Sequence, residues 1–141
     1  MKVLTTSQHQ KRLNVFGWVA PLMGKQGIVR TANGDRSGFL RCLKPLYSRI
    51  RRKTIWLYVD NACWHKGAAV RAFLKAHPRL RLGYLPPYQP ALNMQERIWR
   101  RVRYECTTNR YFEELDDIWT AVHKTVDQWT PGKIRKLCRI T

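Results

Sequence analysis

Apolar residues change their period along this chain, and each change marks an element. LNVFGWVA (13–20) is rich in aromatic and β-branched residues and predicts a strand. Pro21 and Gly24 predict a turn, and QGIVRTA (26–32) its hairpin partner. NGD (33–35) is a second turn signal, with Asp35 placed to cap a helix beginning just after it. In SGFLRCLKPLYSRIRR the residues Phe39, Leu40, Leu43, Leu46, Tyr47 and Ile50 recur at helical spacing, and Pro45 predicts a kink or a split. TIWLYVD (54–60) is apolar almost throughout, which predicts a central strand covered on both faces.

HKGAAVRAFLKAHP (65–78) reads as a helix stopped by Pro78, and LRLGYL (80–85) as a short strand. This β-α-β order predicts parallel strands joined by a right-handed crossover. PPYQP (86–90) suits only a rigid loop. A helix is expected from Leu92 to about Tyr104, with Ile98, Trp99 and Val102 inward. A last helix over Leu115–Trp129 carries the stripe Leu115, Ile118, Trp119, Val122, Val126 and Trp129, and Glu113, Glu114, Asp116 and Asp117 suit its positive end. The organisation expected is a lead-in of residues 1–12, one α/β domain over 13–130, and a basic, frayed tail over 131–141.

Charge changes the picture. The chain has 141 residues with 27 Lys and Arg against 9 Asp and Glu, a formal charge of +18. Such an excess predicts a polyanionic partner, because every neutralised phosphate releases condensed counterions. An anionic membrane is the weaker alternative, since no apolar run approaches the ~18 residues a span needs. The start, MKVLTTSQHQ, has no apolar export signal. Cys42, Cys63, Cys106 and Cys138 form no C-x-x-C pair and read as reduced, buried thiols of a cytoplasmic protein. No Cys/His pair accompanies Cys63 and His65 at zinc spacing.

Two carboxylates stand out against this background. Asp60 is the only acid between residues 36 and 95 and ends an apolar strand, where open α/β sheets place their ligands. Glu96 opens a helix 36 positions later. Rigidly held carboxylates from separate elements are what hard divalent cations and two-metal phosphodiester chemistry require. Plain capping accounts for the same residues: Asp60 as the cap of a turn, Asn93 with Glu96 as a capping-box pair. Trp64 and Tyr88 are candidates for base or sugar contact. Arg100 and Arg103 share a helix side with Glu96 and can reach phosphates, while part of the set with Arg97 and Arg101 forms a solvated face.

Two longer motifs carry a resemblance. DNACWHKG resembles the Asp-Asn-x-x-x-His-Lys motif of DDE-superfamily transposases of the mariner-like bacterial insertion-sequence type. LPPYQPALNMQERIW resembles their Leu-Pro-Pro-Tyr-Ser-Pro-x-Leu-Asn-Pro-x-Glu-x-x-Trp motif, and RLNVFGWV an early strand of the same domain. The resemblance implies an α/β, RNase H-like mixed sheet with flanking helices, and DNA cleavage and strand transfer with two Mg²⁺ or Mn²⁺ ions. It implies Asp60 and Glu96 as the second and third metal carboxylates. Asn61, His65, Asn93 and Trp99 then support the site, and Lys66, Arg97, Arg100 and Arg103 contact nucleic acid. DNA is the implied partner, with a homodimer or an upstream-encoded transposase fragment as the protein partner.

Departures bear on activity. Gln89, Ala91, Met94 and Gln95 replace more usual residues of the third motif. Residues 1–12 contain no Asp or Glu. The first carboxylate of the family lies on an earlier, central strand, so the expectation is a C-terminal portion of a catalytic domain lacking that strand, inactive alone. A non-catalytic nucleic-acid-binding protein and a subunit completed by a separately encoded partner are the alternatives.

Overall fold

Strand formation over residues 12–20 follows from apolar side chains on both faces of one pleated run. The computed structural model describes residues 2–5, 12–60, 62–87, 92–108 and 110–139. In it β2 (Arg12–Ala20) pairs antiparallel with β3 (Lys25–Thr31) on one edge and with β1 (Lys2–Thr5) on the other. The lead-in therefore contributes a strand, KVLT, with no carboxylate on it. Its ladder covers only Arg12–Val15 of β2. Gly24 closes the β2–β3 turn with its N–H on the Pro21 oxygen (3.2 Å). Its φ of +63° favours glycine, and a Cβ there would lie 2.7 Å from Pro131.

Asp35 caps α1 (Arg36–Arg49) by accepting the Gly38 N–H at 3.0 Å. The helix runs through Pro45 as one element, so of the expected kink or split the split does not occur. Pro45 is exposed, and buried Phe39, Cys42, Leu43 and Leu46 anchor the turns on both sides of it. β4 (Ile55–Val59), α2 (Ala68–Ala76) and β5 (Leu80–Tyr84) come next, and β4 pairs parallel with β5 as the β-α-β order predicts. The helix between them starts at Ala68 rather than His65, because Cys63–His65 form a separate 3₁₀ turn.

After the loop come α3 (Met94–Val102), a π turn over Arg103–Thr107, α4 (Leu115–Asp127) and α5 (Pro131–Leu137). α4 opens with a reciprocal capping box between Glu114 and Asp117. The expected frayed tail is instead a helix. Thr130 caps it, proline stands in its first turn, and Ile134 and Cys138 are buried in the core.

Two cores flank β2. Leu13 and Val15 face one built with Ile98, Trp99, Val102, Cys106, Ile118, Val122, Val126, Trp129, Ile134 and Cys138. Phe16 and Trp18, on the opposite face, join Phe39, Leu43, Leu46, Ile50, Ile55, Val70 and Leu80. Beside the first core Glu105 accepts hydrogen bonds from Trp129 Nε1 (2.9 Å), Lys133 Nζ (2.5 Å) and Arg101 Nε (3.1 Å). This clasp joins the π turn to α5.

The strand covered on both faces is β2, not β4. Trp56 and Tyr58 of β4 are 57% and 61% exposed. Continuous apolarity predicted burial there, but among the described residues β4 has a ladder partner only in β5. Among the described residues the three-stranded and two-stranded sheets share no ladder. The four cysteines are free; Cys42, Cys106 and Cys138 are buried, and Cys63 is exposed against expectation because its turn lies at the surface. Burial pushes the Cys42 thiol up to about 12. Among the described residues no helix is long and apolar enough to cross a membrane.

Candidate active site

Asp60 stands just beyond the last residue of β4, with its side chain 50% exposed. Its Oδ1 accepts the Ala62 N–H at 3.0 Å, so the capping role expected of an aspartate after a strand is present. His65 closes the same turn. Its Nδ1 lies 2.9 Å from the Asp60 backbone oxygen and 3.1 Å from Oδ1. Burial lowers the His65 pKa, against the opposing pull of the Asp60 oxygens. With two oxygens facing Nδ1, that nitrogen carries the proton and donates it. The imidazole is buried against Phe39 of α1, with ring centroids 4.5 Å apart.

Two more side chains brace the turn. Arg36 of α1 donates to the Cys63 oxygen at 3.2 Å, and the Tyr84 hydroxyl donates to the His65 oxygen at 3.2 Å. Lys66 lies exposed, its ammonium 5.0 Å over the Tyr84 ring. Sequence reasoning assigned Phe39 to the core and gave Arg36 and Tyr84 no role; nothing in their local pattern distinguishes them.

Glu96 sits in the first turn of α3, whose N-cap is Asn93, with Oδ1 accepting the Gln95 N–H at 3.2 Å. Replacing Asn93 with alanine is expected to cost about 1 kcal/mol, read as a lower urea midpoint at unchanged m-value. Instead of reaching back to the cap, the Glu96 carboxylate accepts from Arg103 at 3.3 Å. Arg97 donates to the Cys138 oxygen at 3.1 Å, which ties α3 to the end of α5. Arg100 is exposed. Trp99 is buried, its ring against Gly17 of β2, where a Cβ would come within 2.8 Å of it. Asn61 and loop residues 88–91, Tyr88 among them, lie outside the described residues, as does the Trp64 side chain.

A groove of about 520 Å³ unites part of this set. Asp60 and His65 line it from one side, Asn93, Gln95 and Trp99 from the other, and Glu96 is not in its lining. Carboxylate oxygens are suitable donors for Mg²⁺ or Mn²⁺. Yet the described residues hold no group of three or more His, Cys, Asp or Glu side chains able to share an ion. One oxygen of Asp60 accepts from the Ala62 N–H and one of Glu96 from Arg103. Among the described residues, Asp60 and Glu96 stand as two separate carboxylates.

Comparison with known proteins identifies the family. The family described as DDE superfamily endonuclease matches residues 1–119. The chain belongs to it. This family member is 32% identical over 139 residues to the insertion element IS630 uncharacterized 39 kDa protein of Shigella sonnei, covering 94% of the chain and 39% of that protein. It is 39% identical over 85 residues to uncharacterized protein y4pE/y4sA of Sinorhizobium fredii (strain NBRC 101917 / NGR234), covering 57% of the chain and 58% of that protein. It thus spans well under two thirds of the length of either curated relative.

Among solved structures, the catalytic domain of Mos1 mariner transposase superposes with a TM-score of 0.73 at 13% identity, over 98% of the chain and 72% of that structure. The catalytic core domain of BIV integrase gives 0.55 at 14%, over 98% and 77%. At such identity the likeness is one of fold, and the fold of this family member is RNase H-like, as its motifs implied.

Proposed function

We propose that this chain is catalytic-domain material of a DDE transposase acting on DNA, with Asp60 and Glu96 as its second and third carboxylates. The observation that carries the reading is the position of Asp60. An exposed carboxylate at the C-terminal end of a parallel strand, opening on a groove, is where α/β sheets hold ligands. Asn93 sets the start of the helix bearing Glu96, His65 fixes the turn bearing Asp60, and Lys66, Arg100 and Arg103 supply positive charge for phosphates. Mg²⁺ or Mn²⁺ is the ion class the carboxylates suit, and no reaction step is assigned to it in this chain alone.

The chain by itself is proposed to bind DNA without cleaving it. The strand beside β2 carries no acid, and the described residues contain no three-ligand cluster. The 141-residue chain should leave supercoiled plasmid un-nicked in Mg²⁺ or Mn²⁺. Its affinity for duplex DNA should fall about a thousandfold between roughly 50 and 200 mM salt if about six phosphates are neutralised. Mg²⁺-dependent nicking abolished by Asp60→Asn and by Glu96→Gln would overturn the inactivity and keep the site assignment. A salt-insensitive affinity would sink DNA as the partner of the basic surface.

A further inference from the structure

One face of the β4–β5 sheet carries aromatic and cationic side chains in the open. Trp56 and Tyr58 stand two positions apart on β4, so both project from the same face, and both are exposed. Their rise of about 6.6 Å is roughly twice the ~3.4 Å stacking step of B-DNA, so each ring has room for its own flat partner. In the parallel register Trp56 sits beside Arg81 and Tyr58 beside Gly83, which places exposed Arg81 on that face as well. The Arg81 guanidinium lies 5.4 Å from the centroid of the Trp56 ring. Gly83 makes room for the other ring: a Cβ there would come within 2.7 Å of Tyr58 Cε1 and 2.8 Å of Cδ1. The Tyr58 ring is thus laid over β5 with most of its surface open.

The charge around this face selects its partner. Asp60 is the only acid between residues 36 and 95. Arg51, Arg52 and Lys53 lead into β4, all exposed, and among the described residues neither they nor Arg81 form an ion pair. The acids gather elsewhere: α4 and its cap hold Glu114, Asp116, Asp117 and Asp127. A second copy docking through the same face would set these cations against their own kind. A polyanion with exposed flat rings satisfies both features at once, with phosphates for the cations and π-faces for the aromatics. Duplex DNA keeps its base faces inside the stack, so the partner that fits is a single strand.

We propose that the outer face of β4–β5 is a stacking platform for single-stranded DNA. One base stacks on Trp56 and another on Tyr58, while Arg81 and the run Arg51–Lys53 hold the phosphates. The inference deepens the reading above and rests on it for the choice of DNA. A duplex meets charge alone, whereas a single strand adds two stacking contacts, so the chain should prefer the single strand. Tyr58 lies two positions before Asp60, so a strand stacked on it passes beside the candidate site.

The test measures, by fluorescence anisotropy, the affinity of the 141-residue chain for labelled probes of about twelve nucleotides. The probes are an oligothymidylate, an abasic strand of the same charge, and a duplex. The oligothymidylate should bind about tenfold or more tighter than the abasic strand. Trp56→Leu and Tyr58→Leu keep an apolar side chain but lose the ring. Each should weaken the oligothymidylate about tenfold, with the abasic strand, the duplex and the melting temperature unchanged. Tyr58→Phe should bind like wild type. Stacking releases no counterions, so the ratio of wild type to each leucine variant should persist as salt rises and both affinities fall. Equal binding of oligothymidylate and abasic strand, or unchanged affinity in both leucine variants, would overturn the platform and leave the DNA reading standing on the duplex. Failure of the wild-type chain to bind any probe would overturn both. A wild-type dimer in sedimentation that dissociates in Trp56→Leu would assign the face to a second copy and overturn the platform.

Discussion

Replacing Ile98 with alanine should destabilise the chain by about 4 kcal/mol, near the upper part of the range for buried isoleucine truncation. Ile98 is 0% exposed and sits in the core shared by β2, α3, α4 and α5. Neighbours from four elements cannot all move inward at once, so most of the cavity should persist. A domain of this size has only about 7–20 kcal/mol in total, so the loss should lower the melting temperature by roughly 10 °C. Urea unfolding followed by far-ultraviolet circular dichroism and by tryptophan emission checks it. A loss below about 1.5 kcal/mol would mean that α3 does not dock on β2 as described.

Glu105 should be next in effect. Its carboxylate is largely buried and accepts from Trp129, Lys133 and Arg101, so Glu105→Ala leaves a buried indole N–H unpaired and a lysine without its partner. A cost of about 3 kcal/mol is expected, and about half that for Glu105→Gln, whose amide oxygen still serves Trp129. The pH dependence has a definite sign. Burial pushes the Glu105 pKa up, but the hydrogen bonds from Lys133 and Trp129, the Lys133 charge and the Arg101 bond outweigh it and hold the carboxyl below its ordinary 4.5. Its stabilisation is therefore fully present above 4.5 and is lost as pH falls through the lower folded-state value. Melting temperatures of Glu105→Gln should fall less steeply than wild type from about pH 5 to pH 3. Parallel acid limbs would show that the clasp does not hold the proton off.

The periodic elements were legible because their causes are local. Alternation over 13–20, the Asp35 cap, the Asn93 cap and the inward face of α4 all depend on residues within a few positions of one another. Burial of β4 was not legible. Apolar residues at Trp56 and Tyr58 look the same whether or not another element covers them, and here none of the described residues does so. The fate of residues 131–138 escaped because Lys133, Arg135 and Lys136 suggested a solvated tail. Ile134 and Cys138 had value only against a surface made by distant residues. At the site, Asp60, His65 and Asn93 were found through their motifs, and the structure gives each a definite local task. Gln95 was visible only as a departure from the motif; that its amide would be buried and unpartnered needed Gly17, nearly eighty positions earlier, to be seen beside it.

The two cores that share β2 also impose an order in time on a chain made from its amino end. The core holding Phe16 and Trp18 is complete once residue 80 is available. The other needs Ile134 and Cys138 to cover Leu13 and Val15. During synthesis one face of β2 is thus sealed early, while the opposite face waits for Ile134 and Cys138 to leave the ribosome. Contacts such as Gln26 with Val126 and Arg135 with Leu22, 100 and 113 positions apart, close only at the end. Nascent chains halted when residue 80 has just left the ribosome should carry half a folded domain and one bare apolar strand face, the form most in need of a chaperone.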